Sequence, residues 1–124
     1  MKSCLIVDDS VVIRKLVREI MQGLGYECRE AENGEVALTR SKEALPDLIM
    51  LDWNMPVMTG IEFLRTLRAM ENGGLPTVFF CTTEHDMAHI QEALAAGVND
   101  FIMKPFDKEI VKDKLESHGL WQED

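Results

Sequence analysis

Five short apolar runs alternate with five helix-like segments along the chain, and this order restricts the fold more than any other feature. Strands that alternate with helices form parallel sheets, because two parallel neighbours need a long crossover that a helix supplies. Such sheets carry helices on both faces, and each crossover is expected to be right-handed. The sequence therefore predicts an α/β fold, a doubly wound five-stranded parallel sheet with five helices.

The predicted strands are short and mostly apolar, as expected for strands that are covered on both faces. They are placed at residues 2–7, 26–31, 48–51, 77–81 and 101–103. The second of these is more polar than the others, which suits a strand at the edge of the sheet.

The predicted helices are recognised by apolar residues three and four positions apart and by residues that cap or end a helix. They are placed at Ser10 to Gly23, 33–43, from the end of a loop containing Gly60 to the Asn72-Gly73-Gly74 run, 86–96, and after Asp107. In the fourth helix, Met87, Ile90 and Leu94 have the spacing of one apolar face.

Polar residues follow the carboxyl ends of four predicted strands. Asp8 and Asp9 follow the first strand, Asp52 the third, Thr82 the fourth and Lys104 the fifth. In open parallel sheets these strand ends share one edge, where ligands bind. Three clustered carboxylates repel one another unless a cation is present. Mg²⁺ is the natural candidate, because it prefers a few carboxylates together with water and phosphate oxygens.

The same residues form a complete set for phosphoryl transfer to a carboxylate. An ionised Asp52 attacks phosphorus without a base and forms an aspartyl phosphate. The transferring group spreads negative charge over three oxygens, which the metal, the Lys104 ammonium and the Thr82 hydroxyl stabilise. Each residue alone has an ordinary explanation in a turn or cap, so the prediction depends on their joint order.

These residues resemble the receiver domains of bacterial response regulators, particularly CheY-like proteins, over essentially the whole chain. The matching segments are residues 5–10, residues 52–56 with Gly60, Thr82, and residues 104–106. The resemblance implies a flavodoxin/CheY-like sheet in the strand order 2-1-3-4-5. It also implies a receiver domain at residues 1–118, a short tail at 119–124 and no output domain.

The resemblance further implies a role for each site residue. Asp52 is expected to be the phosphoacceptor, and Lys104 to pair first with Asp52 and then with the phosphoryl group. Asp9 is expected to bind Mg²⁺ directly and Asp8 mainly through water, while Asn54 contributes its backbone carbonyl. Mn²⁺ is the alternative cation for these ligands.

A switch is implied as well. Phosphorylation is expected to draw Thr82 inward and to let Phe101 turn into the vacated space. This movement would reshape the surface made by the fourth helix, the fifth strand and the fifth helix, where partners of this family commonly bind. The bond between Lys104 and Pro105 is expected to be cis.

Two residues beside the expected phosphoryl group bear on its lifetime. Asn54 and Glu84 match the pair that CheY-like proteins carry there, which implies rapid self-dephosphorylation. Thr83 stands where a smaller Ala is usual, and Phe101 stands where the chemotaxis proteins have Tyr.

The implied function is that of a stand-alone response regulator in a two-component system. Its donor would be a phosphohistidine on a sensor histidine kinase or a histidine phosphotransfer protein, and its output a protein target, for example in chemotaxis. The alternative is a relay shuttle or phosphate sink that passes the phosphoryl group to a histidine phosphotransfer protein. The chain would be a monomer or a weak phosphorylation-dependent dimer.

Two other functions are disfavoured. A phosphatase of the haloacid dehalogenase type needs a second Asp two residues after the nucleophile, and this position holds Asn54. The chain is therefore not expected to be an enzyme. A flavin-binding protein of similar fold is disfavoured because Asp8 and Asp9 would repel a phosphate at the first loop.

Charge and hydropathy exclude further classes. The net charge of −9 argues against non-specific nucleic-acid binding. No run approaches the ~20 apolar residues that span a bilayer, and the start lacks a signal-peptide pattern, so a cytoplasmic location is expected.

The cysteines at positions 4, 28 and 81 lie in apolar runs and are interpreted as buried free thiols. The basic stripe of Arg14, Lys15 and Arg18 is either a solvated face or a docking surface for the phosphodonor.

Overall fold

A computed structural model describes residues 2–83 and 87–122 of the chain. Within these residues, strands and helices alternate without exception. The strands are β1 (Ser3–Val7), β2 (Glu27–Ala31), β3 (Leu48–Asp52), β4 (Thr77–Thr82) and β5 (Asp100–Met103). The helices are α1 (Val11–Gly23), α2 (Gly34–Glu43), α3 (Gly60–Ala69), α4 (Met87–Ala96) and α5 (Lys108–Ser117).

All neighbouring strands pair in parallel, and the sheet order is β2-β1-β3-β4-β5. The predicted doubly wound α/β fold and the order 2-1-3-4-5 are therefore confirmed. The polar second strand lies at an edge of the sheet, as its composition indicated.

The sheet separates two apolar cores, because successive side chains of a strand point to opposite faces. In β1, Leu5 and Val7 contribute to the core beneath α2, α3 and α4, which we call the first core. Cys4 and Ile6 contribute to the core beneath α1 and α5, the second core. Each large side chain that is fully buried in this way stabilises the fold by about 1.5–3 kcal/mol.

Polar side chains cap four of the helices in the described part of the chain. Ser10, Asn33, Thr59 and Asp107 each accept a hydrogen bond from the backbone N–H three residues ahead. Such a cap stabilises a helix by about 1 kcal/mol. The helix starts predicted at Ser10, Asn33 and Asp107 are thus confirmed within a residue.

The third helix ends earlier than the glycine run suggested. It stops at Ala69, and the chain then turns through Asn72, which has a φ of 62°. The guanidinium of Arg68 donates to the carbonyls of Gly73 and Pro76, both at 2.8 Å. These bonds hold the following segment in a turn around Arg68.

The apolar face predicted for α4 is not the face that packs on the sheet. Met87 is 66% exposed and Leu94 is 55% exposed, whereas Ala93 and Ala96 are buried. The small alanine side chains allow the helix to approach the first core closely, so the larger residues are left at the surface. Ile90 lies between, partly buried.

The cysteines and the tail complete the second core. The three cysteines are free and buried, as predicted, and burial raises the pKa of Cys81 to about 12. The hydroxyl of Tyr26 donates to the carbonyl of Leu120, near the carboxyl terminus, at 2.6 Å, and Trp121 packs against the second core.

In the described residues, no helix combines the length and the apolar character that crossing a membrane requires.

Candidate phosphoacceptor and metal site

Three carboxylates meet at the carboxyl-terminal edge of the sheet. Asp52 is the last residue of β3, and Asp8 follows β1 directly, with its N–H donating to the carbonyl of Ala31 at 3.1 Å. Asp8, Asp9 and Asp52 each offer an oxygen within 4.8 Å of the others. The structure therefore brings together the three acidic residues that the sequence placed at this edge.

Lys104 reaches into this cluster from the end of β5. Its ammonium group lies 3.0 Å from Oδ1 of Asp52 and 3.2 Å from Oδ2 of Asp8. Its backbone N–H donates to the carbonyl of Thr82 at 2.9 Å, and the peptide bond to Pro105 is cis, as the resemblance implied. The predicted lysine thus contacts the carboxylate that is expected to react.

The three carboxylates differ in their surroundings. Both oxygens of Asp8 already accept hydrogen bonds, Oδ1 from the N–H of Ser10 at 2.9 Å and Oδ2 from Lys104. Asp8 is buried, whereas Asp9 is exposed at the mouth of the site. Asp9 is therefore the more accessible ligand, and Asp8 is oriented by its neighbours.

The charges of the site are unbalanced. Burial raises the pKa of Asp52, the hydrogen bond from Lys104 opposes this rise, and repulsion by Asp8 adds to it. Burial lowers the pKa of Lys104, but the contacts with Asp52 and Asp8 outweigh burial, so its pKa is raised. Three carboxylates and one ammonium leave a negative excess that a divalent cation would neutralise. Oxygen ligands of this kind fit Mg²⁺.

The remaining predicted residues beside the carboxylates and the lysine are Thr82, Asn54 and Glu84. Thr82 ends β4 and is buried, one residue beyond Cys81, which pairs with Asp52 across the sheet. Asn54 is exposed in the loop after β3. Glu84 lies outside the described residues.

Phe101 packs inward in the described structure. It is partly buried against the first core, and its ring stacks on that of Phe80 with centroids 6.4 Å apart. Phe80 also contacts Trp53, the residue after Asp52, with ring centroids 4.7 Å apart. The expected switch residue is therefore connected to Trp53, the residue after Asp52, through the buried ring of Phe80.

The loop between β3 and α3 is held by a close approach at Gly60. A Cβ atom at this position would overlap the carbonyl of Asp52 and lie 2.8 Å from Cε1 of Phe80. The Gly60 N–H donates to the carbonyl of Trp53 at 3.2 Å. In the same loop, Val57 has a φ of 69°, a region that β-branched residues rarely adopt.

An apolar groove adjoins the site. It has a volume of about 270 Å³ and lies between α1 and the segment that follows β5. Its lining residues are Ile13, Leu16, Val17, Thr83, Lys104, Pro105 and Phe106. Thr83 is exposed at the groove, and the groove opens beside Lys104.

Two members of the basic stripe have partners that sequence reasoning missed. Arg14 and Arg18 both form ion pairs with Glu30 of β2, at 2.9 Å and 2.7 Å, so neither belongs to a purely solvated face. Arg14 also donates to the backbone carbonyl of Asp8. The pairing of β2 with β1 places Glu30 near this helix, and the sequence pattern alone did not specify that neighbour.

The chain is similar to a known protein family and to individual proteins within it. Residues 4–116 match the family model described as the response regulator receiver domain. The chain is 39% identical to the chemotaxis protein CheY of Pseudomonas aeruginosa over 113 residues, which covers 90% of this chain and 91% of that protein.

Solved structures are similar as well. The chemotaxis protein CheY4 of Vibrio cholerae superposes with a TM-score of 0.90 at 37% identity, covering 94% of this chain and 98% of that one. The receiver domain of a sensor histidine kinase from Pseudomonas aeruginosa, with a magnesium ion coordinated in its active site cleft, has a TM-score of 0.85 at 27% identity. That match covers 94% of this chain and 95% of the other.

Proposed function

The chain belongs to the response regulator receiver domain family, and we propose from this that it is a phosphorylation-controlled switch whose phosphoacceptor is Asp52. The observation that supports the proposal most directly is the contact between Lys104 and Asp52 inside a cluster of three carboxylates. This arrangement supplies a nucleophile, a fixed cation and ligands for a second cation at one place. The receiver unit comprises residues 1–118, and residues 119–124 form a tail.

The donor is a phosphohistidine on a sensor kinase or on a histidine phosphotransfer protein. A carboxylate oxygen of Asp52 bonds to phosphorus as the bond between phosphorus and the histidine nitrogen breaks. The electron pair stays on the imidazole, which takes a proton from solvent. The groove between α1 and the segment after β5 lies beside Lys104 and offers an apolar surface for this donor.

Mg²⁺ would be held by the carboxylates of Asp9 and Asp52 and the backbone carbonyl of Asn54, and Asp8 would act mainly through water. The exposure of Asp9 and the two occupied oxygens of Asp8 support this division. The cation would offset the negative charge of the phosphoryl oxygens, a role that Mn²⁺ also fits. Lys104 and the hydroxyl of Thr82 stabilise the remaining oxygens.

The output is a change in the surface formed by α4, β5 and α5. Thr82 moves toward the phosphoryl group, and Phe101, which already stacks on Phe80, turns further into the space that Thr82 leaves. A protein target that binds this altered surface more tightly shifts the population toward it. Chemotaxis is the pathway that the names of the relatives favour. We further propose that the chain acts in the cytoplasm as a monomer or weak phosphorylation-dependent dimer.

The phosphoryl group is expected to be short-lived, because Asn54 and Glu84 match the pair of residues that CheY-like proteins carry beside theirs. No turnover of small phosphate esters is expected, since position 54 carries an amide rather than an acid. The lifetime is measured by following the loss of the phosphorylated mass after removal of the donor. Persistence for many hours with Mg²⁺ present would contradict the assignment.

The decisive experiment uses acetyl phosphate with Mg²⁺ and intact-mass spectrometry. The wild-type chain should gain one phosphoryl group, and Asp52→Asn should gain none. Asp113→Asn removes an exposed carboxylate of α5 and serves as the matched control, with labelling like that of wild type. Undiminished labelling of Asp52→Asn would overturn the proposal. Rapid transfer from the phosphorylated chain to a histidine phosphotransfer protein would identify a relay rather than a terminal switch.

A further inference from the structure

A partly buried ion cluster joins the edge strand β2 to the loop that carries Asp8 and Asp9. Nε of Arg14 donates to Oε1 of Glu30 at 2.9 Å, and Nη1 of the same guanidinium donates to the backbone carbonyl of Asp8 at 2.7 Å. Nε of Arg18 donates to the other carboxylate oxygen of Glu30 at 2.7 Å. One arginine therefore spans from the sheet edge to the acidic loop.

The backbone of Asp8 is consequently held on both sides. Its N–H donates to the carbonyl of Ala31, which continues the pairing of β1 with β2 by one residue. Its carbonyl accepts from Arg14. The side chain that follows, Asp9, has no such support in the described contacts, so its direction depends on how the Asp8–Asp9 peptide is fixed.

Arg14 is well suited to fix this peptide. Its side chain is only 14% exposed, and it is itself aimed by Glu30. Burial raises the pKa of Glu30, but hydrogen bonds from Arg18 and Arg14 outweigh burial and lower it, so the carboxylate stays ionised at neutral pH. The planar fork of a guanidinium donates in two directions at once, which an ammonium group does not reproduce.

We propose that Arg14 is a positioning residue for the metal site, which holds the Asp8 carbonyl so that the carboxylates of Asp8 and Asp9 converge on Asp52. The inference depends on the proposed function, because it concerns the Mg²⁺ that this function requires. Partners that orient metal ligands typically contribute 10- to 100-fold to metal affinity. Arg14 acts through the backbone, so we expect an effect of about 10-fold.

Replacing Arg14 changes the Mg²⁺ affinity in one direction if the residue positions the ligands and in the other if only its charge matters. A cation near a metal site repels Mg²⁺, so loss of the Arg14 charge alone would strengthen metal binding. Loss of the Asp8 contact would weaken it. Arg18 provides the matched control, since it binds the same Glu30 but is not hydrogen-bonded to Asp8 in the described contacts.

The test titrates each unphosphorylated protein with Mg²⁺ and follows intrinsic tryptophan fluorescence and calorimetric heat. Arg14→Met should bind Mg²⁺ about 10-fold more weakly, and Arg18→Met should stay within about 2-fold of wild type. Arg14→Lys keeps the charge and the contact with Glu30 but lacks the fork, so it should also bind more weakly than wild type. If Arg14→Met does not fold, Arg14→Lys alone tests the proposal. Urea unfolding shows which variants are folded.

Phosphorylation gives a second readout. The deficit of the folded Arg14 variants in phosphorylation by acetyl phosphate should be largest at low Mg²⁺ and should shrink as Mg²⁺ approaches saturation, because the effect acts through metal affinity. Wild-type or tighter Mg²⁺ binding by both Arg14 variants would overturn the inference, as would equal weakening by Arg18→Met. Failure of the wild-type chain to bind Mg²⁺ or accept phosphate would instead refute the proposed function.

Discussion

The ammonium group of Lys104 lies 3.0 Å from Oδ1 of Asp52 and 3.2 Å from Oδ2 of Asp8, so a single cation links the carboxylates of two neighbouring strands. It is held by the backbone bond to Thr82 and is only 23% exposed. Lys104 is therefore placed to meet an incoming phosphoryl group without a large movement.

We expect Lys104→Met to slow phosphorylation by acetyl phosphate by about 10²-fold, the usual effect of removing one charged donor from a transition state. Mg²⁺ binding should remain at least as tight as in wild type, because a competing cation has been removed. Intrinsic tryptophan fluorescence measures both quantities, the rate by stopped flow and the Mg²⁺ affinity by titration. A wild-type rate in this variant would show that the ammonium does not act on the reacting group.

A side chain at position 60 is expected to destabilise the fold. Gly60→Ala is expected to lower the free energy of unfolding by about 1–3 kcal/mol, because the new methyl group would overlap the Asp52 carbonyl and the Phe80 ring. Gly74→Ala is the control, since no atom lies within 4 Å of a Cβ built there. Urea unfolding of both variants checks the difference, and equal stabilities would contradict the observed packing.

Val57 holds backbone strain that can be relieved. It has a φ of 69° and is 74% exposed, so its side chain contributes little packing. Val57→Asn should raise the free energy of unfolding by about 1 kcal/mol, because Asn adopts the left-handed region more easily. Val12→Asn, at an equally exposed position in α1, should give no gain. A destabilised Val57→Asn would mean that this side chain has a packing role.

Asp100 should make stability depend on pH. Burial raises its pKa, but bonds from His118, Lys114 and the Phe101 N–H outweigh burial, so the pKa lies below its ordinary value. A lowered pKa in the folded state stabilises the fold above the unfolded pKa of about 4. This contribution is lost as the pH falls through the folded pKa.

Asp100→Asn should therefore be less stable than wild type near pH 7 by about 1 kcal/mol, and the difference should shrink below about pH 4. Urea unfolding at a series of pH values measures this convergence. Asp113→Asn, which changes an exposed carboxylate of α5, should differ little from wild type at any pH. A difference for Asp100→Asn that does not change with pH would contradict the lowered pKa.

The sequence determined the sheet and the acidic cluster for the same physical reason. Buried parallel strands are continuous apolar runs, and a run that ends in Asp52 or in Asp8-Asp9 places the carboxylates at the shared edge. Neither inference needs knowledge of side-chain packing. Lys104 and Thr82 were predicted at this edge for the same reason, because each lies at the carboxyl end of a predicted strand.

Features that depend on side-chain packing could not be predicted from the sequence in the same way. The buried face of α4 is formed by Ala93 and Ala96, which a hydrophobic pattern ranks below Met87 and Leu94. The end of α3 depends on bonds made by Arg68 to residues further along the chain. The contact between Arg14 and Asp8 could be predicted only from the position of the neighbouring strand and the direction of the Arg14 side chain. Hydrophobic periodicity encodes neither.

The position of Phe80 between Trp53 and Phe101 has a mechanical consequence. In a close-packed interior, a wedged ring cannot shift while its neighbours stay still. The contacts of Phe80 with Trp53 and Phe101 therefore couple any shift of the ring beside Asp52 to a shift of the ring on β5, within the layer covered by α2, α3 and α4.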